Sequence, residues 1–379
     1  MYEDNILSIN PIRMRNIGFL GELGSDWTGL YYKLCKLLTQ NILYSCYHVP
    51  RNISELSEIL CISRDIIIEE VDYLEEHGFL DKISRERYQT NILLHDLKKE
   101  THQELDIIFK KYARLLCQEY FTLLIANHNK LSSYFNTGSQ YAILEESKRW
   151  SLVTLACTKR FDVSIAYKYH KHFTKHKDGS EFISFATIDK GSNLLSYEDL
   201  YNAFGEISFT FRPNDSTNIS ISKFDTYYDN RVDDWTRILF PEFISLCDHV
   251  VGNIRYNKTT ADIYEKLFSK GYLVLDKRNN PLINIVSTNV SIEELINCFP
   301  VLTNKVQDIK KKLANDVYKL CVSEYPDHVK NLFYIYTKKI LSNYNLYSRI
   351  LEMLVSDGWL KPLPDNEKKT VNMIMTIEN

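Results

Sequence analysis

From Leu30 to about Tyr47, apolar residues recur three and four positions apart, the spacing of one helix face, until Pro50 stops the pattern. Asn52 then stands where a cap would start the short helix SELSEIL. After the tight link CIS, Ser63 takes the same position before RDIIIEEVDYLEEHG. In that longer helix Ile67, Val71 and Leu74 make the buried stripe, whereas Asp65, Glu69, Asp72 and Glu76 line the opposite face. Gly78 sits where a left-handed cap ends a helix, and Phe79 and Leu80 open an extended segment that turns through KISRER and returns as YQTNILL. The predicted order is helix, short helix, helix, glycine cap, β-hairpin.

Further along, DIIFKKYARLLCQEYFTLLI predicts a connector helix from about Asp106 to Ile125 that ends at the turn signal NTGSQ. Residues 141–232 change character. The runs SLVTLAC, FDVSIAYKY, EFISFATI, EISFTF and NISISKF, split by KDGS, DKGSN and RPNDS, predict an antiparallel sheet. DDWTRILFPEFISLCDHVVG returns to helix, and helices predominate from about Tyr256, broken by Pro300 and Pro326. Near the start, GFLGELGSDWTG holds Gly18, Gly21 and Gly24; with no strand before it and no G-K-[ST] ending, it reads as a turn-rich entry and not as a phosphate loop.

One signature recurs three times: Leu74 with Gly78-Phe79-Leu80, Leu267 with Gly271-Tyr272-Leu273, and Leu354 with Gly358-Trp359-Leu360. Each is a helix end, a glycine, an aromatic and a leucine, followed by a polar turn and an apolar strand. The last copy has the helices NLFYIYTKKIL and NLYSRILEML upstream, so a second module like the first is expected at residues 328–379. The middle copy lacks a clear helix pair.

The chain has 379 residues, 44% hydrophobic and 25% charged, enough to bury the cores of more than one domain. A formal net charge of -3 leaves no global field toward phosphates, so any nucleic-acid contact must come from local patches. Eight cysteines without C-x-x-C pairs, with Cys35, Cys117, Cys247 and Cys321 inside helical apolar patterns, read as free thiols of a cytoplasmic protein. The N-terminal stretch has no signal pattern and no apolar run is long enough for a membrane span.

Residues 30–94 resemble the winged helix-turn-helix transcription regulators over the full length of that module, and residues 328–379 resemble them again. GELGSDWTGLYYKLCKLLTQNIL, followed by that pattern, looks like bacterial chains labelled as extracytoplasmic-function-type RNA polymerase sigma factors; this likeness covers about the first quarter of the chain and transfers no functional residue. The resemblance implies winged-helix modules at both ends, and with the β-rich runs between them the expected fold is α+β, mostly helical, with a β-rich antiparallel central domain. The expected domains are residues 1–95, 96–255 and 256–379.

What the resemblance implies for function is transcription regulation through double-stranded DNA, with RNA polymerase or another protein as a further partner. In the first module the contacts would come from Arg64, Lys82, Arg85 and Arg87, because the helix that should enter the groove presents four carboxylates to the duplex. The last module is the better placed for phosphate. Its helix is expected to expose Asn345, Ser348, Arg349, Glu352 and Ser356, beside Lys361, Lys368 and Lys369. The acidic helix also fits a second reading, a noncatalytic interaction scaffold whose modules bind protein. His170, His172 and His176 lie among Lys168, Lys171, Lys175 and Lys177, which repel a cation, so they read as a solvated hairpin tip ahead of a polyanion patch or a metal site. Asp233, Asp234 and Trp235 read as a helix start. No nucleophile, base and orienting group can be linked by spacing, and neither enzyme chemistry nor a cofactor is expected.

Overall fold

The strand β1 (Arg13–Glu22) leads into α1 (Trp27–Leu34), α2 (Leu37–Ser45), α3 (Ile53–Leu60) and α4 (Arg64–Glu76), then β2 (Leu80–Lys82), β3 (Tyr88–Thr90) and β4 (Ile92–His95). The helices α5 (Lys99–Leu116), α6 (Thr122–Ala126), α7 (His128–Leu131) and α8 (Glu145–Leu155) follow, then β5 (Thr174–Lys175), β6 (Glu181–Asp189), β7 (Glu206–Asn214) and β8 (Thr217–Phe224). After α9 (Phe240–Val250) and α10 (Ala261–Ser269) come β9 (Leu273–Leu275), β10 (Pro281–Ile283) and β11 (Val286–Thr288). The chain closes with α11 (Ile292–Asn297), α12 (Asn304–Cys321), α13 (Lys330–Tyr336), α14 (Ser342–Ser356), α15 (Asp365–Lys368) and β12 (Met373–Glu378). This is a computed structural model, and it describes residues 11–22, 27–160, 173–175, 181–189, 206–224, 240–337, 342–371 and 373–378. The fold is α+β with helices predominating, and among the described residues no helix is long and apolar enough to cross a membrane.

Two compact units share the chain. One holds Met1–Leu105, Ser164–Ser196 and Ala314–Leu341; the other holds Asp106–Val163, Tyr197–Leu313 and Ser342–Asn379. In the first, β6 lies antiparallel to β1 on one side and parallel to β4 on the other, with the short β5 also on β6. In the second, the sheet runs β11-β12-β8-β7, and only the β11–β12 pairing is parallel. Its core sets Ile219, Ile221, Met373 and Met375 of the sheet against Leu246, Tyr264, Leu267 and Tyr272.

The three glycine signatures are one device. Gly78, Gly271 and Gly358 hold φ of 69°, 77° and 76°, a region where a side chain is strained. Their N–H groups donate back to Glu75, Phe268 and Val355, while the next residues, Phe79, Tyr272 and Trp359, donate to Leu74, Leu267 and Leu354 at 2.8 to 2.9 Å. That pair of bonds satisfies carbonyls the helix end leaves open and turns the chain out of the helix, directly into β2 and β9 after Gly78 and Gly271.

Several expectations need correction. SLVTLAC is helix, not strand: Trp150, Leu152, Val153 and Leu155 in α8 are all buried, and a helix buried on every side carries a continuous apolar run like that of a central strand. EFISFATI becomes β6 and the runs EISFTF and NISISKF become β7 and β8, but they belong to two sheets, each with a parallel neighbour, and not to one antiparallel sheet. GFLGE is the end of β1, where Gly18 makes room for the Phe185 ring; a Cβ there would meet ring carbon at 2.4 Å. Ser63 starts α4 without a side-chain cap, whereas Asn52 makes a full capping box with Glu55. After Leu360 no hairpin forms: Pro362 and Pro364 cannot donate to a ladder, the chain enters α15, and β12 pairs with β8 and β11. The hairpin occurs at the middle glycine instead, as β9 and β10. The run FDVSIAYKY, His170, His172, His176 and Asp233 to Trp235 lie outside the described residues.

Cys117, Cys247 and Cys321 are buried as expected, and burial pushes their thiols up to about 12, but Cys35 is exposed at the end of α1. All eight cysteines are free thiols.

Candidate functional site

The helix α4 is held from its inner side by charge as well as by packing. Glu70 is buried beside Ile67, Val71 and Leu74; the Lys33 amine lies 2.6 Å from its carboxylate, and the Thr39 hydroxyl donates to it. Lys33 also sits 4.5 Å from the centre of the Tyr73 ring. The buried stripe Ile67, Val71 and Leu74, with Glu70 paired among them, sets the rotation of α4 about its own axis. That rotation sends Asp65, Glu69, Asp72 and Glu76 outward, all exposed. On either side of this row stand Ile66, 50% exposed, and Ile68, 39% exposed. The sequence reading missed both, because three consecutive isoleucines look buried when only Ile67 is.

The hairpin is tied to the helices at several points. Arg51 and Tyr88 exchange backbone hydrogen bonds of 3.0 and 2.8 Å, so a one-residue strand between α2 and α3 joins the β2–β3 pair. Asn91 closes the base, donating from its amide to the Gly78 carbonyl at 3.2 Å and from its backbone to Phe79 at 2.9 Å. The tip from Ile83 to Arg87 is exposed, with Ile83 at 51%.

The cations expected to touch phosphate are distributed unevenly. Arg64, at the start of α4, and Arg85, at the hairpin tip, are exposed. Lys82 is exposed too, but its amine lies 5.4 Å from the Tyr88 ring centre, and a hydrogen bond with Tyr88 together with the Glu75 and Asp72 carboxylates pushes it above its ordinary pKa. Arg87 is engaged: it lies 3.0 Å from Glu55 and donates to the Pro50 carbonyl at 2.7 Å.

In the second unit Arg349 is a correction. It is buried, 2.6 Å from Asp106 and paired with Glu352, because α14 is buried all round from Leu346 to Leu351 and has no outward face there; Ser348 is buried for the same reason. Lys368 is 2.8 Å from Asp365 in the single turn of α15. Lys369 donates to the Ser269 carbonyl at 3.2 Å and lays its stem over Gly271. Lys361 stays exposed while its backbone carbonyl accepts from the Trp150 indole at 3.0 Å. With Arg349 buried and no hairpin after Gly358, the helix-and-hairpin surface expected of these four cations does not form.

The second unit also holds a cleft of about 540 Å³ lined by Asn136, Gln140, Tyr141, Asn214, Thr217 and Asn289 with Val250, Val251 and Ile377. Carboxamides and hydroxyls of this kind hydrogen-bond an uncharged ligand. No protein-family model, curated protein or solved structure matches the chain.

Proposed function

We propose that the first unit carries a winged-helix module whose outer α4 face docks a basic segment of a protein partner. The observation that carries this reading is the exposed row Asp65, Glu69, Asp72 and Glu76 flanked by the exposed Ile66 and Ile68. Carboxylates repel a duplex, whereas apolar contact edged by acid suits an amphipathic segment rich in Lys and Arg. The order of α2, the Arg51 strand, α3, α4 and the hairpin supports the winged-helix reading. The resemblance to transcription regulators makes RNA polymerase or an associated factor one class of partner. A duplex contact would rest on the exposed cations Arg64, Lys82 and Arg85.

Fluorescence anisotropy with the full chain and a labelled amphipathic peptide, one face Lys- and Arg-rich, tests the proposal. Converting Glu69, Asp72 and Glu76 to their amides together should weaken binding by about tenfold or more. Unchanged affinity in that variant contradicts it.

A further inference from the structure

Two stretches of the chain match position for position. Gly78 and Gly271 are 193 positions apart (271 minus 78), and at that same spacing Leu80–Lys82 corresponds to Leu273–Leu275 and Tyr88–Thr90 to Pro281–Ile283. The hairpins share one register, Leu80 opposite Thr90 and Leu273 opposite Ile283. Asn91 and Asn284 keep the spacing and make the same two bonds: the Asn284 amide donates to Gly271 at 2.9 Å and its backbone to Tyr272 at 2.8 Å. Glu69 and Asp72 correspond to Asp262 and Glu265, all exposed. The next strands, β4 and β11, each lie parallel to a strand from far along the chain, which is itself antiparallel to another. Each is followed, at once or after α11, by a helix of 18 residues, α5 or α12.

Beyond those helices the segments change sides. α5 begins among residues of the first unit and ends among those of the second, and α12 does the reverse. After α7 a 3-10 turn, Ser132–Tyr134, gives way to an extended Phe135, which bridges Thr288 at the end of β11. After α12 the 3-10 turn Val322–Glu324 gives way to an extended Tyr325, whose hydroxyl lies 2.6 Å from His95 at the end of β4. His95 and Thr288 are again 193 positions apart. Further bonds follow the same division: Thr154 to Tyr347 at 2.7 Å and Trp150 to Lys361 in the second unit, and Lys98 to Glu324 at 2.8 Å in the first.

We infer that the chain is a tandem duplication of one strand, helix and hairpin module, that residues 240–288 hold the second copy of the helix and hairpin, and that the helical segments following the hairpins have been exchanged between the copies. Exchange of an identical element costs little, because the contacts it loses in one copy it regains in the other. The second module therefore belongs in the middle of the chain and not at its C-terminal end.

Hydrogen exchange of the intact protein tests this. Phe333 is buried and stacked 4.0 Å from Tyr325, so Phe333→Ala should speed exchange in Ile92–His95 and Glu181–Asp189 by about tenfold relative to Thr217–Phe224 and Met373–Glu378. Phe135→Ala should act in the opposite sense, on Val286–Thr288 and Met373–Glu378 and not on Ile92–His95. Phe333→Leu and Phe135→Leu should give the same crossed pattern at smaller amplitude, which keeps the test open if an alanine variant does not fold. Acceleration confined to the strands of the substituted residue's own half, or equal in both sheets, overturns the exchange.

Discussion

The Tyr325 hydroxyl lies 2.6 Å from Nδ1 of His95, while Nε2 of the same ring is buried with no hydrogen-bond partner among the described residues. Tyr336 packs 4.3 Å from the imidazole, centre to centre, so the ring sits among aromatics with one polar contact. Burial therefore favours the neutral form, and the His102 charge adds to it, lowering the pKa of His95 to about 3.

A depressed histidine pKa makes folding sensitive to acid. Between about 6.5 and about 3 the unfolded chain binds a proton at His95 that the folded chain does not, so stability falls as pH falls through that window, by roughly 1.4 kcal/mol per pH unit from this one group. Urea midpoints measured from pH 7 to pH 4 for the wild type and for His95→Phe should diverge accordingly, the variant showing the shallower slope. Parallel slopes would mean that His95 is protonated in the folded state.

The glycine caps should rank by what surrounds them. Alanine at Gly358 meets open space and costs the positive φ alone, about 1 kcal/mol. At Gly271 the same change also brings a Cβ to 3.1 Å from the Lys369 stem, so the loss there should be larger. Urea unfolding of the two single variants gives the comparison, and an equal loss would show that the Lys369 stem moves aside freely.

Arg349 should behave as an interior cation. Replacing it with methionine removes the partner 2.6 Å from Asp106 but leaves Lys110 at 2.8 Å from the same carboxylate, so the expected loss is about 2 kcal/mol, below that for an uncompensated buried charge. The salt dependence of binding to any polyanion should not change, which a heparin titration at several salt concentrations checks.

The local order of the first module could be read from sequence because its signals are local: Asn52 as a cap, Ile67, Val71 and Leu74 as a stripe, Gly78 as a stop. The exposed carboxylate row followed from the same periodicity. What could not be read were pairings between distant residues. NISISKF gives β8 by alternation, but nothing in it says that β12, from the far end of the chain, lies beside it. The fate of Arg349 was hidden similarly, because helical spacing assigns it an outer face only if the helix has one. The repeat was present as three glycine signatures, and the residue that singles out the true pair is the Asn thirteen positions on, present at Asn91 and Asn284. After Gly358 that position is Val371.

Parallel anisotropy titrations of the full chain at several salt concentrations decide whether the outer face of α4 receives protein or a duplex. One would use the basic amphipathic peptide and the other a mixed-sequence DNA duplex. Tighter binding of the peptide is expected, with a charge reversal of Glu69 and Asp72 to lysine abolishing it and the duplex affinity rising in the same variant as the carboxylate row is removed. A wild-type chain that binds the duplex more tightly than the peptide, with a log-log salt slope reduced by roughly 0.9 for each of Lys82 and Arg85 replaced by alanine, would contradict it and make the hairpin a duplex-binding wing.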